Sequence, residues 1–393
     1  MTIVLLITMG IDRPSGTRYF SLAREWARLG HRVRILALHP DLRRCRQRRF
    51  VQDGVQVWYV GQMYSRKSDS VPQRFGPLEL LRVLAAATAG MAWGALCSPA
   101  DVYHLGKPQP VNGLAAVLAL RLRGRRFWVD CDDDEVGANR FGAAWQRYVF
   151  AFWQALLPRL ATGVTVNTHF LERRLSRPGA QPPVYVPNGV DLERFRRPEP
   201  AVLEALRACL GLVGRRVVGY AGSLALHNHP VDLLLDAFEL LAREQGDVDL
   251  LLIGGGEDLP ELQRRVAVRG LGNRVHFTGR VAPPMVAALL ALAELSVDPV
   301  RDDDVARARS PLKIVESLAV GVPVVTGDVG DRREVLGAAG FMAAPGDAHQ
   351  LARTLRRLLN NREHLAAAAA AAHERAEAYR WSRLAGLWLA AYA

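Results

Sequence analysis

The chain reads as an α/β protein with two doubly wound, Rossmann-like parallel-sheet domains facing across a cleft. Three observations predict this. Strand-length apolar runs alternate with helical patterns from end to end. The alternation pauses once, at a stretch rich in Pro and turn residues, and then resumes. The first run halts at a glycine, as a parallel strand does before its loop.

Each element follows in order. Ile3–Ile7 is a buried strand that stops at Gly10. Phe20, Ala23 and Ala27 recur at helical spacing, Gly30 closes the helix, and "GHRVRILAL" returns as a second strand, giving a βαβ unit. Further strand runs follow at 55–60, 101–105, 126–131 and 163–166. The linker "VYVPNGVDLERFRRPEPA" separates the halves. Beyond it "RRVVGYAGSL", "VDLLLIGGGE", "RVHFTGRV", "AELSVDPV" and "GVPVVTGD" alternate with helical segments. The closing alanine tract favours helix, and Trp381, Leu384, Leu387 and Trp388 seek an apolar surface. The expected division is residues 1–190, joined by the terminal helix 376–393, and residues 191–375. Ligands of such sheets bind at the carboxyl ends of the strands, so the default site lies between the domains.

Composition excludes several classes. Half of the 393 residues are apolar, too many for a disordered chain. Four widely spaced cysteines without a Cys-x-x-Cys exclude a disulfide scaffold and read as reduced thiols. The opening stretch lacks a signal peptide's charged start, and the apolar run 83–97 falls short of the ~20 residues of a spanning helix. The chain is therefore expected to be cytoplasmic, at most resting on a membrane. The formal charge of +12 favours anionic partners, while no recognition module accompanies it, so nucleic acid is not expected. Only Lys67, Lys107 and Lys313 are lysines among 51 basic residues. Where arginine is the default, each lysine is a candidate.

The pieces "GTRYFSLAREWARLGHRVRIL", "VPNGVDLERF", "GYAGSL", "LLLIGGGE", "RVHFTGRV", "SPLKIVESLAVGVPVVTGD" and "PGDAHQLARTLRRLL" stand in an order that resembles the family-4 (group 1) retaining glycosyltransferases of the GT-B fold. The Ser-Pro-x-Lys form resembles a variant branch of that family. The resemblance implies a retaining hexosyltransferase that moves a sugar from a nucleotide-diphosphate donor to a glycan or lipid-linked acceptor. The amino-terminal domain would bind the acceptor and the carboxy-terminal one the nucleotide-sugar. It implies no cofactor and no metal, a role in building polysaccharides, and same-face substitution in which the leaving phosphate helps deprotonate the acceptor. Losing a donor aimed at developing charge costs on the order of 10²–10³ in rate.

On the donor side the resemblance makes Glu316 the holder of the ribose. Lys313, three residues earlier, shares its helix face, and "SP" before it starts the helix, with Ser310 as a candidate cap and the helix start suited to a diphosphate. The bland alternative is a surface Lys313–Glu316 salt bridge. The sequence departs from the family at Ala308, where a second glutamate is usual, and inserts "RDDDVARAR", whose aspartates suit a solvated loop. It departs again at Ser223 and His229, which replace an arginine and a lysine for the diphosphate; His229 is either a phosphate donor or a water-facing residue. Gly16 lets backbone approach the phosphates, although no Gly-x-Gly-x-x-Gly is present. Gly255 follows a strand near where the base would lie, with Glu257 and the backbone at Arg280 as contacts; a tight turn would use the same glycines.

On the acceptor side, His104 and Lys107 fall at a strand end and its loop, and the linker's Asn188 is a further acceptor-side candidate. Asp132 stands where relatives carry an active-site histidine and would bind a sugar hydroxyl or take the acceptor's proton. Asp130-x-Asp132 is also compatible with a metal pair, the weaker reading for a metal-independent fold. The catalytic set is thus Asp132, His104 and Lys313. The arginine-rich stretch 42–50, with Trp145, Phe150, Phe152 and Trp153, is either a docking site for anionic lipid or a solvated loop and a packed helix face. A noncatalytic glycan-binding or scaffold subunit is the alternative function, motivated by Ala308, Ser223 and His229. A sugar-nucleotide epimerase comes third, without a feature of its own.

Overall fold

A computed structural model describes residues 1–68 and 71–392; for Pro14, residues 67–68 and 71–74, and Pro283, it describes the backbone only. The chain divides into two compact units: Met1–Asn188 with Trp381–Ala393, and Gly189–Arg380.

In chain order the first unit carries β1 (Thr2–Ile7), β2 (Arg32–His39), β3 (Arg49–Gln52), β4 (Val55–Gln62), β5 (Ser65–Ser68), β6 (Val71–Arg74), β7 (Val102–Gly106), β8 (Trp128–Cys131), β9 (Gly163–Val166) and β10 (Val184–Tyr185). Eight of these form one sheet in the order β10-β9-β8-β7-β1-β2-β4-β3, while β5 and β6 pair separately. Every pairing in the large sheet is parallel except the edge strand β3, which runs antiparallel to β4. Ile3 to Ile7 are all buried because β1 is central and helices cover both faces. The helix Pro14–Arg28 opens with proline in its first turn and buries Tyr19, Leu22, Ala23 and Trp26 at helical spacing. Trp26 then meets Trp388 edge-on at 5.8 Å and donates to the Ala385 carbonyl at 3.1 Å. The final helix Trp381–Ala390 is thereby fastened to this unit, burying Trp381, Leu384 and Trp388 and leaving Leu387 exposed.

One helix departs from the sequence reading. The apolar segment is a 20-residue helix, Pro77–Leu96, longer than the run 83–97 because Leu78, Leu80 and Leu81 extend it across Glu79 and Arg82. By length and composition it is the one described helix apolar enough to cross a membrane. Its inner face sits on the sheet: a Cβ on Gly90 would meet the Val60 carbonyl oxygen at 2.2 Å.

The second unit carries β11 (Arg216–Ala221), β12 (Val248–Ile253), β13 (Val275–Gly279), β14 (Leu295–Asp298), β15 (Val324–Gly327) and β16 (Gly340–Ala343). All are parallel, in the order β13-β12-β11-β14-β15-β16, the doubly wound dinucleotide-fold order. Two apolar clusters cover its faces. The alanine tract lies in the helix Arg362–Glu377, which buries Ala368, Ala372 and Ala376 every fourth residue. Such small side chains let it pack closely on the helix Leu312–Ala319. In each unit the strand order reverses once, between β1 and β7 and between β11 and β14. Backbone there opens at the carboxyl ends of the strands.

Candidate active site

At the second unit's reversal point, β14 ends in Asp298, a buried carboxylate. It takes Arg332 Nε at 2.8 Å and Lys313 Nζ at 3.2 Å. Burial opposes its ionisation, but Arg332 and Lys313 overcome that and hold the carboxyl well below the usual range. Lys313 is the second residue of the helix Leu312–Ala319, and its ammonium also lies over the Tyr220 ring, 4.7 Å from the centroid. The surface pair with Glu316 is not formed. Glu316, one turn on, is half-buried with no hydrogen-bond partner among the described residues. Withdrawal from water pushes its pKa up to about 7, against the pull of Arg194 and Lys313. Ser310 is buried but does not cap the helix: Pro311 holds the cap position and no side chain caps.

A second cation joins Lys313. Arg309, half-buried, donates through Nη1 to the Asn228 carbonyl at 2.7 Å. His229 feels both. Burial first, then Lys313 and Arg309, hold its pKa well below the ordinary histidine value, so the ring is neutral. His229 is therefore half-buried and faces cations, which corrects the water-facing alternative. Ser223 is exposed just past the end of β11, after Gly222 at φ +154°.

The glycine loop is packed against backbone. A Cβ on Gly254 would meet the Gly222 carbonyl oxygen at 2.0 Å, and one on Gly256 the Leu224 carbonyl carbon at 2.4 Å. Gly255 has ordinary room beside the Arg280 backbone, the Arg280 side chain is exposed, and Glu257 meets His227 at 3.4 Å. Ligand atoms of His227, Glu257 and Asp258 lie within 4.8 Å of one another, but Asp258 already accepts from the Leu226 N–H at 2.7 Å. In the inserted loop, the exposed Asp302 and Asp304 pair with half-buried Arg307, and the exposed Asp303 caps a short helix. Ala308 is fully buried, so a longer side chain would not fit there without rearrangement.

The first unit's reversal point also centres on a lysine. Lys107 follows β7 at φ +72°, a left-handed conformation that is strained for a side chain with a Cβ. Asn112 holds that turn, donating to the carbonyls of Gly106 and Lys107, both at 3.0 Å. The Lys107 ammonium lies 2.8 Å from Asp132 Oδ1 and 2.9 Å from Glu135 Oε1. Burial alone would lower its pKa, yet Asp132, Glu135 and Asp133 raise it well above the lysine range. Glu135 in turn accepts from Gln109 at 2.5 Å. Asp132 Oδ1, despite its ion pair with Lys107, is buried without a hydrogen bond among the described residues.

Other assignments on this side need correction. His104 is fully buried inside β7, not at a reacting centre. Its Nδ1 faces Tyr392 at 2.8 Å and Trp388 at 3.3 Å, and its Nε2 faces Thr165 at 3.4 Å. Burial and Arg18 hold its pKa well below the ordinary value, so it stays a neutral core histidine. Asp130 is bound by Arg18 at 2.9 and 3.2 Å, Tyr19 at 3.1 Å and Thr165 at 2.7 Å. With Asp132 paired to Lys107, Asp130 and Asp132 each answer a protein cation, which argues against a shared metal. Asn188 accepts from Arg18 at 3.1 Å and so helps anchor the linker. A Cβ on Gly16 would meet the Gly10 carbonyl oxygen at 2.0 Å: the close approach this glycine permits is to the protein's own loop.

Comparison with known proteins bears on both units. The Glycosyl transferase 4-like domain family matches residues 15–189, and the Glycosyl transferases group 1 family matches residues 215–361. Successive parts of the chain thus match two glycosyltransferase families.

Among curated relatives, the GDP-mannose-dependent alpha-(1-6)-phosphatidylinositol monomannoside mannosyltransferase of Mycobacterium tuberculosis is 32% identical over 206 residues, 51% of this chain and 53% of that one. The 2-deoxystreptamine glucosyltransferase of Streptomyces kanamyceticus is 29% identical over 212 residues, 53% of each. The matched chain thus spans about half the length of these relatives. Sucrose-phosphate synthase from Thermosynechococcus elongatus shares the fold at TM-score 0.77 and 18% identity, over 100% of this chain and 98% of that one. So does Anabaena HepE in complex with UDP and glucose, at TM-score 0.72 and 19% identity over 98% of each. The fold of this chain is GT-B.

Sequence reasoning missed several residues around the two reversal points. Asp298, Arg332, Arg309, Gln109 and Glu135 carried no usable signal. An arginine in an arginine-rich chain is uninformative, and Asp298 ends an apolar run that looks like any other. The scarce lysines did carry signal. Lys107 and Lys313 both sit at a strand-order reversal, each with a buried carboxylate. A compact ammonium fits between Asp132 and Glu135, where a planar guanidinium needs more room.

Proposed function

We propose that this protein is a glycosyltransferase that moves a sugar from a nucleotide-diphosphate donor to a glycan or lipid-linked acceptor, with retention at the anomeric carbon. The second unit takes the donor and the first offers the acceptor. One observation carries the reading: Lys313, Arg309 and His229 gather at the β11/β14 reversal beside Glu316, a half-buried carboxylate with pKa about 7 and no partner among the described residues. Cations beside a hydrogen-bond acceptor suit a diphosphate joined to a ribose. The donor class is supported by the GDP-mannose dependence of the first relative and by the UDP bound to HepE.

In this reading Glu316 accepts hydrogen bonds from the ribose hydroxyls. Lys313, Arg309 and a newly protonated His229 meet the diphosphate, so protein cations supply the neutralising charge and no resident cofactor is invoked. The anomeric carbon–oxygen bond breaks and its electron pair leaves with the phosphate oxygen. The acceptor oxygen bonds on the same face and gives its proton to that phosphate oxygen. Asp132 receives a sugar hydroxyl; Lys107 orients this carboxylate, so it acts as a positioning acceptor more than a base.

Calorimetry with UDP, GDP and ADP tests the donor side. Binding of at least one, lost in Glu316→Ala and Lys313→Ala, supports the reading; no binding, or unchanged variants, defeats it. The buried Ala308 and the exposed Ser223 favour one second reading, a noncatalytic nucleotide-binding subunit. That subunit would bind nucleotide yet release no diphosphate from any nucleotide-sugar with or without acceptor.

A further inference from the structure

The helices Pro77–Leu96, Pro110–Ala119 and Ala144–Leu160 pack side by side in the first unit. A helix that faces water shows it charged and polar side chains. Here the outward stripes are apolar. Trp93 is 66% exposed on the first helix, Leu122 is 73% exposed in the turn after the second, and Trp145, Tyr148 (75%) and Phe152 line one face of the third. Buried Ala87, Met91, Gly94 and Ala95 keep the first helix's other face on its sheet, so its exposed stripe is an outer surface.

Charge on these helices and in the loop after the second is almost all of one sign. Arg82, Arg147 and Arg159 lie among the outward stripes, and Arg121, Arg123, Arg125 and Arg126 are exposed in the turn and loop beyond the second helix. Glu79 is the sole carboxylate of the three helices, and Arg66 neutralises it at 2.9 Å. An apolar centre with an arginine rim complements a surface that is apolar below and anionic above. A second copy of this chain would set arginine rim against arginine rim.

We propose that this helical face rests on an anionic bilayer, the aromatic and leucine side chains entering the headgroup region and the arginines binding lipid phosphates. It lies on the membrane and does not span it, because the first helix stays docked on its sheet. The arginine-rich stretch 42–50 is exposed on and beside the edge strand β3 and is not needed for the face. This inference is independent of the transfer reaction.

Co-sedimentation of the full chain with vesicles of phosphatidylcholine alone, or with added phosphatidylglycerol, is the test. Binding is expected to the anionic vesicles, weakening about tenfold or more between about 0.1 and about 0.5 M salt. The variants Trp145→Ser/Tyr148→Ser/Phe152→Ser and Arg121→Gln/Arg123→Gln/Arg125→Gln should each lose about tenfold in partitioning while keeping the wild-type circular dichroism. Should the aromatic variant misfold, the arginine variant and the wild-type lipid comparison still decide. Equal binding to both vesicle types, no binding, or a wild-type dimer that the aromatic variant abolishes would overturn the proposal.

Discussion

The Lys313 ammonium lies 3.2 Å from Asp298 Oδ1 and over the ring of Tyr220, one helical turn before a carboxylate it leaves unpaired. Arg332 already balances Asp298 from the other side, at 2.8 Å. Lys313 is thus held in place by a carboxylate that does not depend on it for charge balance. Its positive field remains available to an arriving anion.

Lys313→Ala and Arg309→Gln should each weaken nucleoside-diphosphate binding by about 10–100-fold, the worth of one charge-assisted hydrogen bond. The unphosphorylated nucleoside should bind the variants as it binds the wild type. Equal losses for nucleoside and diphosphate would place both cations away from the phosphates. Lys313→Arg should not restore affinity, because the fork does not reproduce a point charge between Asp298 and Tyr220.

Glu316 makes stability and function titrate in opposite senses. Its folded pKa, about 7, lies above its unfolded value, so its contribution to stability is fully present below about pH 4.5 and is lost as pH rises through 7. Glu316→Gln should therefore raise the Tm by a few degrees at pH 8 and leave it nearly unchanged at pH 4. The same variant should lose the binding that a ribose-holding carboxylate provides. In the wild type, affinity should fall as pH drops below 7; a flat profile would remove Glu316 from the ribose.

His229 supplies a second proton signature. Burial, Lys313 and Arg309 keep it neutral in the free protein, and a diphosphate between them reverses the field. Nucleoside-diphosphate binding near pH 7 should then draw a proton onto His229. Calorimetry in buffers of different ionisation enthalpy, compared with His229→Gln, measures it. Identical proton counts for the two proteins would refute the contact.

Lys107→Met should cost about 3–5 kcal/mol of stability, because it leaves Asp132 and Glu135 close together without their cation. Asp132→Asn should cost far less, since Lys107 retains Glu135, while slowing transfer to the acceptor. Chemical denaturation with a parallel rate assay separates the two effects. An Asp132→Asn protein with full transfer rate would exclude the sugar-hydroxyl contact.

Strand and helix identity was legible throughout, because period and punctuation act within short windows: the β1 run, the "RVHFTGRV" strand and the alanine helix all read locally. Lys107 and Lys313 could be flagged by rarity alone. His104 could not be placed. Its position at the end of a strand is the same whether it lines a site or a core, and only Trp388 and Tyr392, almost three hundred residues away, decide between them.

Order and spacing along the chain determined the alternating α/β pattern, the resemblance to a glycosyltransferase family and the two lysines, since each is a property of neighbouring residues. Tertiary structure decided which carboxylates are already committed and which remain available. Asp130 was claimed by Arg18, Asp298 was shared by two cations, and Glu316 was left unpartnered. Those outcomes depend on distances between residues far apart in sequence and on how much water each group keeps, quantities that no local pattern encodes.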